Sequence, residues 1–338
     1  MKFEKIIKTS HFLDPFQSYA PVEKLSEVRV DPLTGSTSRI LDFPVKQLDK
    51  TDLGPIVEST RQFCPFCPSM VEQITPKFDP SLVPSERYRR GEAVCFPNAF
   101  PYDENGAVTV ISREHFIPID GFTVPLIRDA LECCAEYLTD ILPKQSEAVY
   151  QSINWNFLPL AGSSLVHPHL QVMASSTATN YYANIMRALG NYGGAHSSGF
   201  WKDLVSEEEK AGERFIARTG GVSWITAFAP MGAFDVIGVV SGASRPADLP
   251  GALAGEIAGA LVSILRFIGS LNITSFNMAF YFVPGEASFT PHIRVCPRIS
   301  LPPLGTSEIN YMKMLHGEPL TTMKPEDICS AIRKSWRG

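Results

Sequence analysis

The sequence is short of several things, and each shortage excludes a class of protein. Only 19% of its 338 residues are charged, with a net charge of −5. That balance provides no broad basic surface to attract nucleic acid or an anionic membrane, so neither is expected as a partner. Long apolar runs are missing too. The best candidate for a membrane span, 249–273, is interrupted by Glu256 and Arg266. The opening residues, MKFEKIIKTSHF, lack an apolar core of signal-peptide length. Cysteines number seven, an odd count without dense spacing. This argues against a disulfide framework and for a reducing, cytoplasmic setting. The length allows one large domain or two of ordinary size.

What is present concentrates in one stretch, Asn154 to Ser176, which reads NWNFLPLAGSSLVHPHLQVMASS. A strand-like run leads into the small-residue turn Ala161-Gly162-Ser163-Ser164, and a second strand-like run follows. His167, His169 and Gln171 alternate, so on an extended chain they share one face. Three nitrogen-bearing groups in one row are costly to bury without partners, which favours a functional row over a half-buried strand edge.

Cys64-Pro-Phe-Cys67 is compatible with a redox pair, half of a metal site, or neither. A thioredoxin-like pair needs a long helix after it, and Pro68 with the proline-rich stretch beyond opposes one. His115 follows a strand, where a lone histidine is more often a surface residue than a ligand, but here it completes a count. Cys64, Cys67, His115 and His167 would form a closed, structural Cys2His2 zinc site, though without zinc-finger spacing.

The rest of the chain frames these residues. Residues 1–60 read as mixed and turn-rich, with a strand end and turn at Arg29 to Gly35. Strands are expected on either side of 103–106, and an amphipathic helix over 123–142 from Leu126, Ile127, Ala130, Leu131, Cys134, Leu138 and Ile141. Residues 177–220 read as a short helix and a domain connection, 221–240 as strand-rich, 249–271 as a second helix, and the tail as two short helices. A shift of 123 residues lays His169 on His292, Asn154 on Asn277, Phe157 on Phe280, Gly162 on Gly285, Pro168 on Pro291 and Val172 on Val295, and Leu126 on Leu249 at each helix start. A fixed long period of this kind marks a duplicated domain. The copy is degenerate: Thr290 stands for His167 and Arg294 for Gln171.

If zinc holds His167, His169 is left as a fixed neutral imidazole, able to act as base or nucleophile. Gly162 allows a ligand close to the backbone, Ser163 and Ser164 suit phosphate contacts, and the Gln171 amide suits a developing oxyanion. The fitting chemistry is attack by His169 on phosphorus.

GSSLVHPHLQVMASS resembles the active-site signature of the galactose-1-phosphate uridylyltransferases, the transferase branch of the histidine-triad superfamily, in which glutamine replaces the last histidine. Arg29 to Gly35 is similar to that family's Arg-x-x-Pro-Leu-Thr-Gly, and the four zinc candidates match its zinc ligands. Asn98 falls where the family contacts the nucleoside, Asn156 and Ser164 where it contacts phosphate. The resemblance implies an α+β protein of two histidine-triad-like domains, each an antiparallel sheet with packed helices: 1–180 with zinc and the catalytic motif, and 181–338 degenerate. It implies a homodimer and ping-pong transfer of a nucleoside monophosphate from a nucleotide sugar to a sugar phosphate. His169 and Gln171 would be catalytic, and Asn98, Asn156, Gly162, Ser163, Ser164, His292 and Arg294 would bind substrate. The alternatives are a nucleotide-sugar or dinucleoside polyphosphate phosphorylase or hydrolase, and a non-catalytic nucleotide-binding or zinc-stabilised interaction protein. The departures lie after the Pro-Leu-Thr-Gly turn, where only Arg39 is near, and at the second half's single His292.

Overall fold

The computed structural model describes residues 1–43, 48–301 and 305–337. The first segment is more regular than its sequence suggests. Strands β1 (Glu4–Asp14) and β2 (Ala20–Val30) form a long antiparallel hairpin, and β3 (Thr37–Leu41) extends it. Most of the hairpin has both faces in solvent, so it carries no apolar alternation to read. The turn that follows is as expected: the Asp31 carboxylate accepts from the Leu33 and Thr34 N–H groups, and Gly35 takes φ +73°.

A ten-stranded sheet forms the centre. Its strands are β4 (Tyr88–Arg90), β5 (Ala93–Pro97), β6 (Asn105–Val110), β7 (Tyr150–Phe157) and β8 (His169–Ser175). The second half adds β9 (Phe215–Thr219), β10 (Val222–Thr226), β11 (Val236–Val240), β12 (Ser275–Phe282) and β13 (His292–Arg298). The order β4-β5-β6-β8-β7-β12-β13-β11-β10-β9 is mirrored about the β7–β12 seam, and every pairing is antiparallel. His169 and His292 each open a strand flanked by equivalent neighbours, as duplication requires.

The register corrects the ungapped repeat. Gln171 pairs with Asn154 while Arg294 pairs with Ala279, so β7 lies on β12 with a shift of 125. Asn277 therefore answers Ser152, and Phe280 answers Trp155. The second half's connection is two residues shorter, before the equivalent Gly162 and Gly285, which share left-handed φ values of +87° and +89°.

The helices are α1 (Gly54–Arg61), the single turn α2 (Val71–Ile74), α3 (Val124–Ile141), α4 (Asn180–Ala195), α5 (Phe200–Ala211), α6 (Ala252–Ser270), α7 (Tyr311–His316) and α8 (Pro325–Ser335). Leu249 precedes α6, whereas Leu126 lies within α3, so that pairing of helix starts fails. The region 177–220 holds two full helices, α4 and α5, because glycines at 190, 193 and 194 mask the first of them in sequence. Helix α6 is long and apolar enough by composition to cross a membrane, contrary to the sequence reading, but most of it is buried in the protein.

Strand alternation divides the sheet. Ile153, Trp155 and Phe157 of β7, Leu170 and Val172 of β8, and Phe276, Met278, Phe280 and Phe282 of β12 enter one core with α3 and α6. Trp155 and Phe157 meet Phe276 across the seam at 5.0 and 5.4 Å between ring centroids. The alternate residues face away from α3 and α6. There α4 and α5 cover the second half, with Ile185, Leu189, Phe200 and Leu204 on Ile225, Ile237 and Val239. The loop carrying Cys64 and Cys67 places Phe66 and Val71 on Phe96, Val108 and Val110 of the first half.

The hairpin docks through Arg29, which is almost wholly buried. Its Nη1 and Nη2 donate to the Glu326 carboxylate of α8 at 2.8 and 2.9 Å, and its Nε to Glu27 at 2.8 Å. Arg214 Nη1 donates to Glu326 as well. Burial alone would raise the Glu326 carboxyl, but Arg29, then Arg214, outweigh it and hold it at about 2. A carboxyl depressed on folding contributes stability that is complete above the ordinary carboxylate range and is lost as pH falls toward 2. Glu326→Gln is expected to cost roughly 2–3 kcal/mol at neutral pH, the scale of charge-assisted hydrogen bonds, and to flatten the acid limb. Denaturant melts of both proteins between pH 2 and 7 measure this; parallel acid limbs would refute it.

Candidate active site and metal centre

Four side chains from three segments converge where β8 begins. The ligand atoms of Cys64, Cys67, His115 and His167 all lie within 4.8 Å of one another. Cys64 Sγ is 3.5 Å from His167 Nδ1, and Cys67 Sγ is 3.4 Å from His115 Nδ1 and 3.7 Å from His167 Nδ1. Ligands 2.0–2.3 Å from a tetrahedral ion stand roughly 3.3–3.8 Å apart, so these separations fit zinc. The far ring nitrogens fit as well. His167 Nε2 donates to Ser112 O at 2.8 Å, and His115 Nε2 lies 3.2 Å from Val57 O and from Thr60 Oγ1 of α1. Each histidine thus presents an unprotonated Nδ1 to the centre. Burial pushes His167 down to about 4, which keeps it neutral. Burial, then the neighbouring Cys64, pushes the Cys67 thiol up to about 11, a penalty that a divalent cation would reverse.

His169 begins the strand this cluster anchors. Its Nδ1–H donates to the His167 carbonyl at 2.8 Å, so the lone pair resides on Nε2. Burial lowers its pKa and keeps the ring neutral. Phe66, from within the Cys-x-x-Cys turn, packs against it in a T-shaped pair with ring centroids 5.1 Å apart. Gln171 lies one pleat further on the same face, and its side-chain amide has no partner among the described residues.

A cavity of about 520 Å³ occupies the uncovered middle of this face. Asn98, Asn156, Gln171 and Arg294 line it, as do Tyr102, Asn154, Asn277 and Lys313, which the sequence reading missed. Asn154 was within reach, since it alternates with Asn156 on a strand whose intervening residues are apolar. Asn277 Nδ2 donates to Asn156 Oδ1 at 2.7 Å and to Ala161 O at 2.8 Å, tying the Gly162 turn to the second half. Gly162 has open space at its Cα and Ser164 is exposed, whereas the Ser163 hydroxyl is used within its own turn, donating to Leu165 O at 2.6 Å.

His169 and the Gly162-Ser163-Ser164 turn do not line this cavity, and neither does His292. Its Nδ1–H donates to Thr290 O at 2.9 Å, the counterpart of the His169 bond. Its Nε2, however, is met by the Tyr181 hydroxyl at 2.7 Å, and Trp201 stacks on the ring at 4.2 Å. Helices α4 and α5 supply both covers. Enclosure pushes His292 down to about 3. Arg294 does line the cavity, and its Nε and Nη2 donate to the buried Asp235.

The fold has solved counterparts. An ADP-glucose phosphorylase from Arabidopsis thaliana with bound ADP-glucose superposes with a TM-score of 0.71 at 16% identity, covering 91% of this chain and 98% of that one. A galT-like protein from Arabidopsis thaliana gives 0.70 at 17% identity, and a uridylyltransferase 0.67 at 17%, with the same coverage. The chain therefore shares its fold, α+β with two like halves, with these solved proteins. No protein-family model matches the sequence. The chain belongs to one family with an uncharacterised protein of Archaeoglobus fulgidus, 33% identical over 315 residues and 93% of each chain.

Purified without added metal, the protein is expected to carry about one zinc per chain by elemental analysis. Structural zinc binding is worth on the order of 10 kcal/mol in small domains, so chelation or Cys64→Ser should lower the melting temperature by many degrees. A metal-free protein with an undiminished melting temperature would reject the site.

Proposed function

We propose that the protein is a nucleotidyltransferase acting on a nucleotide sugar and a sugar phosphate, with His169 as nucleophile. The observation that carries this reading is the His169 tautomer, with Nδ1–H spent on the His167 carbonyl and Nε2 unprotonated. The lone pair on Nε2 attacks the α-phosphorus, and the bond from phosphorus to the bridging oxygen breaks. The sugar 1-phosphate leaves with that electron pair. The ring gains positive charge, which the His167 carbonyl stabilises by accepting the Nδ1–H hydrogen bond. Gln171, which cannot titrate, donates its amide N–H to phosphoryl oxygen as charge builds there. In the second step an acceptor phosphate oxygen attacks phosphorus, the P–N bond breaks, and neutral His169 is restored, with no net proton consumed.

Zinc at Cys64, Cys67, His115 and His167 would be closed by four protein ligands and would supply rigidity, fixing the start of β8. Asn98 and Tyr102 suit the nucleoside end. The turn Gly162-Ser163-Ser164 and Asn156 suit the phosphates, although the Ser163 side chain is spent on its own turn. The likeness to an ADP-glucose phosphorylase supports including ADP-sugars among donors and inorganic phosphate among acceptors. We further infer a domain division at residues 1–180 and 181–338, and a homodimer. The exposed apolar residues Phe12, Leu13, Phe16 and Tyr19 at the tip of the β1–β2 hairpin support the dimer, since an isolated two-stranded hairpin is marginal in water. A reducing, cytoplasmic location accords with seven free cysteines.

Incubation with UDP- or ADP-sugar and no acceptor is expected to add one nucleoside monophosphate, seen by intact-protein mass spectrometry. The adduct should be acid-labile and discharged by sugar 1-phosphate or phosphate. His169→Ala should abolish adduct and turnover, while Gln171→Ala should slow both by about 10²-fold. Full turnover by His169→Ala would place the nucleophile elsewhere. Rapid release of free nucleotide without acceptor would make the protein a hydrolase.

A further inference from the structure

The floor of the cavity is a straight row across four strands. Gln171 of β8 pairs with Asn154 of β7, Asn154 with Ala279 of β12, and Ala279 with Arg294 of β13. Three inter-strand spacings of ~4.8 Å separate the ends of this row by about 14 Å. One end is the neutral amide beside His169. The other is cationic.

At that second end stand Arg294, Arg298 and, from α7, Lys313. Arg298 is fully engaged: its Nε donates to Glu308 at 2.6 Å, Nη1 to Asn277 at 3.2 Å and Nη2 to Ser307 at 2.9 Å. Arg294 uses Nε and Nη2 on Asp235 and lies beside the Tyr181 hydroxyl. Lys313 is half-buried and has neither a hydrogen-bond nor an ion-pair partner among the described residues. Burial lowers its pKa, with Arg294 acting in the same direction and Asp235 against. A half-buried ammonium without a partner costs free energy that an anion in the cavity would offset.

We propose that Arg294 and Lys313 form a subsite for an anionic group, carboxylate or phosphate, carried by the sugar-phosphate half of the substrate at its end remote from the transferred phosphorus. The inference rests on the nucleotidyl-transfer reading, because that reading assigns the Gln171 end to the α-phosphate. Hydroxyl groups of a neutral hexose would be satisfied by the asparagines of the floor and do not call for an unpaired ammonium. A hexuronic acid 1-phosphate or a sugar bisphosphate brings the matching charge.

The test is equilibrium binding, which needs no chemistry. Zinc-loaded protein is titrated calorimetrically with glucose 1-phosphate, glucuronic acid 1-phosphate and glucose 1,6-bisphosphate. At least one of the two probes that carry a second anionic group is expected to bind about 10-fold more tightly than glucose 1-phosphate, and which one does so separates carboxylate from phosphate. Lys313→Met should reduce that ratio to near one, and Lys313→Arg should preserve it. Equal binding of the three probes, no binding of any, or an unchanged ratio in Lys313→Met would each overturn the subsite. If the ratio behaves as expected while no nucleotide sugar labels His169, the nucleotidyl-transfer reading fails and the anion subsite stands.

Discussion

The β7–β12 seam is the constraint on which the rest of the molecule depends. Antiparallel pairing from Phe276↔Phe157 to Phe282↔Gln151 joins two half-sheets into one. Because side chains alternate, a single register decides two things together. It drives Trp155, Phe157, Phe276 and Phe280 into a shared core beneath α3 and α6, and it sets Asn154, Asn156, Asn277 and Ala279 on the opposite face as the cavity floor. A slip of one residue at the seam would bury the asparagines and expose the aromatics. The core and the candidate site are therefore stabilised by the same pairing, and neither half has a complete version of either alone.

The Cys2His2 cluster acts on a smaller scale and fixes a direction. His167 Nδ1 faces the cluster, its Nε2–H is held by Ser112, and its own carbonyl accepts from His169. One residue thereby holds the cluster on one side and sets the tautomer of its second neighbour on the other. Pro168 between them cannot donate a backbone hydrogen bond, and the Ile111 N–H reaches its carbonyl at 3.0 Å, so the strand pairing continues past it. The His-Pro-His spacing has a mechanical meaning: any other spacing would uncouple the His167 ring from the tautomer of His169.

Much of this was legible in the sequence because it is local or periodic. Alternation exposed the His167–His169–Gln171 row, apolar spacing exposed α3 and α6, and ligand chemistry brought Cys64, Cys67, His115 and His167 together over about a hundred residues. The failures have physical causes of their own. The β1–β2 hairpin buries too little to show alternation, and glycines disguised α4. An ungapped shift could not see a connection shortened by two residues, so Asn277 was matched to Asn154 and not to Ser152. Lys313 could not be found by pattern at all, because its significance lies in having no partner among the described residues, and only the folded chain shows who the neighbours are.

The two halves show how the same strand position diverges through what covers it. His169 and His292 both open a strand between equivalent neighbours, and both spend Nδ1–H on the carbonyl two residues back. Up to that point the backbone has made the same imidazole twice. The difference is imposed from the opposite face. Over His169 the chain lays a loop pinned by the cluster, with one phenylalanine in a T-shaped pair with the ring, and leaves Nε2 without a protein partner among the described residues. Over His292 it lays two helices, whose Tyr181 occupies Nε2 and whose Trp201 closes the ring face. A neutral imidazole with its lone pair satisfied by a buried hydroxyl is a core residue, since exposing it for attack would break a hydrogen bond and unstack a tryptophan. Closing one site in this way leaves His169 as the one of the pair whose Nε2 has no protein partner among the described residues. The cavity beside Gln171 draws its far wall from the second half, so that half contributes shape and charge through Asn277, Arg294 and Lys313.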